Sequence, residues 1–270
     1  MTALIDLDSI LYQAVYKVVS FWEMRDAIEK YGKENARNWL NEQVLNEGVN
    51  RCENRLLQIQ NYISDIMFEE ITGYELFITT CENSFRKELT ATYKANRKTN
   101  KYVWLLRGHY QMTNNAFYSD TLEADDLINI RAKELGRDNY VVVSLDKDLK
   151  QIGGYFWSYY RQKEKDSQGN VIMQTTDLGL ELPVMEYKQK EVEYITDEQA
   201  SKFFWAQMLT GDASDNIKGL HRIGEKTAEK ILSNTKCNWV AVARKYIEKD
   251  QKKDWKVNYQ LLKLKDHFTH

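Results

Sequence analysis

Long apolar runs are missing from this chain of 270 residues. Its apolar stretches fall far short of the ~20 residues a membrane-spanning helix needs. The opening residues, MTALIDLD, lack the basic, apolar and small-residue regions of a signal peptide. Cysteine is scarce: Cys52, Cys81 and Cys237 are odd in number and widely spaced, without paired metal-ligand spacing. That fits reduced thiols rather than a disulfide framework. A large excess of one charge is missing too, since the net charge is -2 and the pI near 6.2, which argues against a nonspecific coat for DNA. These absences leave a soluble protein of the cytoplasm, the host's if the chain is viral, with no membrane partner, as the expectation. With 43% hydrophobic and 12% aromatic residues, the chain can bury a substantial core.

What is present is charge sorted by position. From Arg86 to Arg107 there are seven Lys or Arg and one acid, and from Asp120 to Asp148 eight acids and four bases. A basic block beside an acidic one suits a polyanion gripped in one place and cut with metal ions in another.

The acidic block carries the densest chemistry. From Thr121, read as an N-cap, Ala124, Leu127, Ile128, Ala132 and Leu135 fall at helical spacing, which crowds Glu123, Asp125 and Asp126 into the first turn. Carboxylates so close repel unless something cationic sits between them. Gly136 closes the helix, and Tyr140 to Ser144 is an apolar, β-branched run of the kind found in strands buried on both faces. Asp146 and Asp148 follow at its carboxyl end, where open α/β sheets place ligands. No His or Cys accompanies these acids, and oxygen ligands alone favour Mg²⁺ or Mn²⁺ over zinc. A solvated acidic helix start followed by an ordinary loop is the bland alternative.

The rest of the chain adds partners to that site. Ala3 to Ile5 reads as a strand delivering Asp6, with Asp8 either sharing the site or capping the next helix. Glu75 to Thr80 reads as a second strand. In the basic block, Tyr93, Tyr102 and Trp104 alternate with Lys94, Arg97, Lys98 and Lys101, the composition of a surface that tracks phosphates and stacks bases. After Asp148 come expected hairpins, with QGN at 168–170 as a turn, and TDEQ from Thr196 is a capping box. Asp212 and Asp215, three apart, can face one way. Gly219 and Gly224, followed by Thr227 and a helix, form a turn whose N–H groups can hold a phosphate.

Taken together, LIDLDSILY, FRKELTATYKANRK, EADD with SLDKD, and GDASDNIKGLHRIGEKTA resemble, in order, motifs of the flap endonuclease and 5′ to 3′ exonuclease family, particularly its short bacteriophage members. The resemblance implies an α/β fold: a PIN-like, mostly parallel central sheet flanked by helices, with a helical arch at about 84–118. Residues 1–200 would form the nuclease core and 201–270 a helix-hairpin-helix type module for duplex DNA. It also implies a structure-specific 5′ nuclease, cutting DNA at 5′ ends, flaps and duplex junctions in replication, with RNA primers and RNA–DNA hybrids as further substrates. By position, Asp6, Glu123, Asp125, Asp126, Asp146, Asp148, Asp212 and Asp215 match the family's metal-site carboxylates, for two Mg²⁺ or Mn²⁺ ions. Asp125 and Asp146 are the acids on which turnover is expected to depend most. Lys94 matches the lysine that contacts the scissile phosphate, and Arg97 the arginine one turn on. Gly219, Ile223, Gly224 and Lys226 match the duplex-binding hairpin, with Arg222 and Thr227 beside them and a monovalent cation as a further expected ligand. Two positions depart from the pattern: Cys81 stands near the usual Asp after the second strand, and Arg222 replaces the first Gly of Gly-x-Gly. A monomer is expected. The rival readings are a PIN-type ribonuclease and a catalytically weak, structure-specific DNA-binding protein.

Overall fold

A computed structural model describes residues 1–270 except 17, 20, 83, 98, 99, 176–180, 269 and 270, together with the side chains of Phe21 and Trp22. In chain order the first elements are β1 (Thr2–Asp6), α1 (Asp8–Ala14), α2 (Phe21–Ile66), β2 (Gly73–Phe77), α3 (Phe85–Leu89), α4 (Lys101–Met112) and α5 (Ala124–Leu135). Next come β3 (Tyr140–Val143), β4 (Gly154–Trp157), β5 (Arg161–Lys163), β6 (Met173–Thr175), β7 (Glu181–Pro183), β8 (Met185–Tyr187) and β9 (Glu193–Ile195). The chain continues through α6 (Asp197–Thr210), β10 (Gly211–Asp212), β11 (Ile217–Lys218), α7 (Glu225–Ser233), α8 (Asn238–Glu248) and α9 (Lys252–Leu262).

The main sheet runs in the order β2-β1-β3-β4-β9. Its first four strands are parallel and only β9 joins antiparallel, which is the mostly parallel α/β sheet expected. Strand residues alternate sides. Ala3, Ile5, Val141 and Val143 enter one buried cluster with α1, α2 and α4, while Leu4, Val142 and Phe156 enter another with α5. A parallel sheet covered on both faces needs apolar residues at every position, and β3 is buried throughout. β1 sits between β2 and β3, so the order of strands reverses there, and the carboxyl ends of β1 and β3 open the crevice in which such sheets bind ligands. A third apolar cluster joins α6, α7, α8 and α9.

Several expected boundaries move. The second strand ends at Phe77 rather than Thr80, because Ile78 already turns its N–H to Phe117. Glu123, not Thr121, is the N-cap of α5: its side chain and that of Asp126 form the reciprocal capping pair. Within the expected arch, Val103, Leu106 and Tyr110 of α4 are buried against α1 and α2. α2 is broken by Gly32, at φ 79° and ψ 163°. The hairpins after β4 form as β5 with β8 and β6 with β7, and Asp166 holds the turn through the N–H groups of Gln168 and Asn170. TDEQ caps α6 as expected, through Thr196 and Gln199.

α6 ends at Gly211 (φ 71°), where the chain doubles back so tightly that a Cβ on Gly219 would lie 2.1 Å from the carbonyl carbon of Thr210. Gly219, expected to touch nucleic acid, is a packing residue. Gly219→Ala should cost about 3 kcal/mol, the upper range for overpacking, and a thermal melt that matches the parent would refute the close approach.

Candidate active site

Asp6 ends β1, and Ile5 pairs with Val143, so Ser144 lies beside Asp6 and donates its hydroxyl at 2.7 Å. The same carboxylate accepts the N–H of Asp8 at 3.1 Å. Asp146 caps the short 3-10 turn Lys147–Ile152, with its Oδ1 accepting the N–H of Asp148 at 2.8 Å. α5 starts at the same sheet edge because the Ala124 N–H donates to the Thr79 hydroxyl at 3.0 Å, which sets Asp125 opposite Asp6 and Asp146. The end of β10 brings Asp212, whose Oδ1 accepts the N–H and hydroxyl of Ser214 at 2.8 Å each, and the loop that follows brings Asp215. One cleft of about 340 Å³ is lined by Asp6, Asp125, Asp146, Asp148, Asp212 and Asp215, with Glu123 on the same wall.

Two kinds of carboxylate share this wall. Glu123 and Asp215 are already paired: Lys94 Nζ lies 3.0 Å from Glu123 and 3.7 Å from Asp215, and Arg97 binds Asp215. The buried Tyr93 hydroxyl donates to Glu123 at 2.8 Å and to Asp215 at 3.1 Å. Burial alone would raise the Glu123 carboxyl, but Lys94 and Arg86 outweigh it and hold it below the usual range. Lys94 is pulled up by Glu123 and Asp215 against its own burial. Asp215 stays raised, because burial outweighs Lys94 and Arg97.

At Asp6, Asp125 and Asp148, burial and like charge outweigh what offsets them, such as the Ser144 hydroxyl at Asp6 and Lys94 at Asp125. Burial, then Asp8 and Asp146, push the Asp6 carboxyl up to about 7. Burial, then Asp146 and Asp212, raise Asp148 to about 7. Asp125 is raised well above the carboxylate range by burial and then by Asp146. Among the described residues, no three His, Cys, Asp or Glu side chains are closed around a point as a finished cage. The donor set nevertheless fits a hard divalent cation: oxygen ligands only, clustered at a ligand crevice, with charge that only a proton or a cation can relieve.

That charge sets a pH dependence. A carboxyl whose folded pKa is raised binds its proton more tightly folded than unfolded. Its stabilisation is complete below the unfolded value of about 3.9 and lost as pH rises through the folded value, about 7 for Asp6 and Asp148. In EDTA the melting temperature should therefore fall by several degrees between pH 5 and pH 8, given roughly 2–4 °C per kcal/mol at this chain size. Mn²⁺ should restore more stability at pH 8 than at pH 5. A metal-free protein most stable at pH 8 would contradict this electrostatic reading.

One expected site residue stands elsewhere. Asp126 is 0% exposed and forms a two-pronged pair with Arg86, at 2.5 and 2.8 Å, while accepting the N–H of Lys265 at 2.9 Å. Both oxygens are thus taken up inside the core, away from the cleft. Asp8 does share the cleft with Asp6, and there it holds Arg107 at 2.9 Å and the N–H of Thr79. Tyr93 is buried in the third cluster and offers no face for a base. The Cys81 thiol, raised to about 11 by burial and then by Glu123, lines the cleft but donates to the Leu122 carbonyl at 3.3 Å.

Residues 90–97 span the cleft. The Lys94 N–H meets the Asp215 carbonyl at 2.9 Å, Arg97 the Ser214 carbonyl at 3.2 Å, and Asn216 the Thr92 carbonyl at 2.8 Å. Lys98 lies outside the described residues, and Lys101 is exposed at the start of α4. In the hairpin, Arg222 takes φ 59°, the left-handed conformation that a glycine would adopt there. Ile223 is buried, whereas Gly224, Lys226 and Thr227 are exposed at the N-terminus of α7, with open space where a Gly224 Cβ would stand. Sequence reasoning missed Arg86 and Ser144, whose partners Asp126 and Asp6 lie 40 and 138 residues away in the chain.

No family model matches the chain. Over 164 residues, 57% of its length, it is 28% identical to DNA polymerase I of Borreliella burgdorferi, and it is 27% identical over 162 residues to that of Streptococcus pneumoniae. These matches cover 16% of the relatives, so the chain spans only a small part of their length. Among solved structures, the bacteriophage T5 flap endonuclease in a pseudo-enzyme–product complex with DNA and metal ions superposes over 98% of this chain and 88% of its own, with a TM-score of 0.55 and 14% identity. The T5 5′-exonuclease with bound zinc covers 99% of its own chain, with a TM-score of 0.51 and 12% identity. The resemblance to the flap endonuclease and 5′ to 3′ exonuclease family is thus borne out by a fold shared with the T5 enzyme over nearly the whole chain, beside a sequence match to part of DNA polymerase I.

Proposed function

We propose that this chain is a structure-specific 5′ nuclease that hydrolyses phosphodiester bonds of DNA near 5′ ends, flaps and duplex junctions, in replication. The observation that carries this reading is the wall of mutually repelling carboxylates at the β1–β3 crevice, with the basic residues Lys94 and Arg97 lining the same cleft. Asp6, Asp125, Asp146, Asp148 and Asp212 would hold two Mg²⁺ or Mn²⁺ ions, with Glu123 and Asp215 at their margin and Asp126 as a core residue behind them. Such ions generate a nucleophile at neutral pH and stabilise the leaving oxygen.

This chain's own residues do the rest. Lys94 and Arg97, which pair with Glu123 and Asp215, turn to the scissile phosphate and neutralise charge as it develops. Lys101 extends that contact along the strand. Arg222, Gly224, Lys226 and Thr227 hold a duplex phosphate at the N-terminus of α7, anchored by Ile223, with a monovalent cation at the same turn. Residues 1–200 act as the nuclease core and 201–270 as the duplex-binding module, in a monomer that works in the cytoplasm. Among the described residues no helix is long and apolar enough to cross a membrane.

The test presents 5′-labelled flap duplex, blunt duplex, RNA–DNA hybrid and single-stranded RNA in Mg²⁺. Release of short 5′ products from the duplex substrates supports the reading, and the hybrid lane extends it to RNA primers. Cleavage of the single-stranded RNA alone would make the chain a PIN-type ribonuclease, and tight binding without cleavage a DNA-binding protein.

A further inference from the structure

α7 sorts its charge between two faces. Glu225 and Glu229 line a cleft of about 760 Å³ that opens from Asp146, Asp148 and Asp212 between α6 and α7. Thr227 and Lys230 instead line a groove of about 390 Å³ on the side of α8, which contributes Arg244, Lys245 and Glu248 to it. Helical spacing explains the split, because residues three or four apart share a face: Thr227 with Lys230, and Glu248 with Arg244 and Lys245. Lys245 pairs with Glu248 at 2.7 Å, so the acid of the groove is already taken. Lys230 and Arg244 are exposed and form no ion pair among the described residues, which leaves two cations on opposite walls of one groove. Such a pair is complementary to a polyanion. The groove also starts where the hairpin ends, since Thr227 belongs both to it and to the first turn of α7, beside Gly224 and Lys226.

We propose that the α7–α8 groove is a second phosphate-binding site for duplex DNA, in which Lys230 and Arg244 hold the backbone next to the phosphate held at the hairpin. This rests on the hairpin binding a duplex, as proposed above. Contacts of this kind fix the position of a duplex without reading its bases. They also extend the grip on the face of α7 that carries Lys230, away from Glu225, Glu229 and the acidic wall, whose charge repels phosphate.

The experiment is binding of a labelled blunt duplex to the whole chain in EDTA, titrated from about 50 to 200 mM salt, beside thermal melts. Each phosphate contact adds about 0.9 to the slope of log affinity against log salt. Lys230→Gln with Arg244→Gln should therefore weaken binding at low salt and flatten the slope by about 1.8, so that its deficit against the parent shrinks about 10-fold over that range. Exposed helix positions tolerate such changes, and the melting temperature should hold. Lys230→Arg with Arg244→Lys keeps both charges and should keep the parental slope. Lys33→Gln with Arg37→Gln removes the same charge from exposed positions of α2 and should leave the slope unchanged. A parental slope in the folded groove variant overturns the proposal and leaves the groove to a partner other than DNA. Equal flattening in the α2 variant also overturns it, by making the effect one of overall charge. If the parent itself fails to bind the duplex, the reading of the hairpin fails instead, and the parent's own titration tells the two results apart.

Discussion

Asp125→Asn and Asp146→Asn should each lower metal-dependent cleavage of a flap duplex at least 10³-fold, while duplex affinity stays within a few-fold of the parent and the metal-free protein becomes more stable. The loss of turnover follows from place. Asp125 is set opposite Asp6 and Asp146 by the start of α5, and Asp146 by the end of β3, so the pair draws charge to the crevice from both sides. Groups that act as one unit lose nearly all of the rate when any member is removed. Duplex affinity is spared because Lys94, Arg97 and the α7 hairpin are untouched. The gain in stability follows from burial and repulsion: Asp125 carries a proton well above the usual range because of burial and Asp146, and the neutral amide removes both penalties. Asparagine at 146 can still accept the Asp148 N–H, so the turn Lys147–Ile152 keeps its cap. Melts in EDTA and single-turnover rates in Mg²⁺ read the two effects. A variant that cleaves normally, or one inactive because it has unfolded, would contradict the assignment.

Arg86→Leu should destabilise the chain by about 3–5 kcal/mol, the cost of stranding the partner of a buried ion pair. Arg86 is 2% exposed, and it binds Asp126 through two nitrogens, the Leu261 carbonyl through Nε at 2.8 Å and the Lys263 carbonyl at 3.4 Å. One guanidinium therefore ties α3 to the N-terminus of α5 and to the end of α9. Its loss leaves Asp126 charged in the core with only backbone donors, and leaves two carbonyls unpaired. At roughly 2–4 °C per kcal/mol, the melting temperature should fall by about 10 °C. The double change Arg86→Leu with Asp126→Leu should recover most of that loss, because it removes the stranded charge along with its partner. A single variant within 1 kcal/mol of the parent, on the scale of an exposed pair, would show that the clasp carries little weight.

Much of the site could be read from the sequence because local order predicts it. A short apolar strand followed at once by an acid occurs twice, at Asp6 and Asp146, and parallel strands put both acids at one edge of the sheet. Asp212 and Asp215, read as three apart and facing one way, line the same cleft, although the tight return between Gly211 and Gly219 that carries them has no local signal, since Gly219 reads with Gly224 as a phosphate-holding turn. What the sequence hides is long-range pairing. Asp126 stands in a row with Glu123 and Asp125, but its partner Arg86 lies 40 residues back, and nothing local separates a ligand from a core ion pair. Tyr93 looks like a stacking residue amid lysines until the α6–α9 cluster closes over it. α4 reads as part of a basic arch because it carries Lys101 and Arg107, while its apolar face meets an α2 helix that ends 35 residues earlier and Arg107 is itself buried against Asp8. Arg222 reads as a replacement for a glycine, and it takes the left-handed conformation such a glycine would adopt.

The most direct measurement is single-turnover cleavage of a 5′-labelled flap duplex by the parent in Mg²⁺ and in EDTA, beside Asp146→Asn. Short labelled products that require Mg²⁺ and vanish in the variant are the expected result. Products that persist in EDTA, or that the variant makes as fast as the parent, would contradict a 5′ nuclease built on this carboxylate wall.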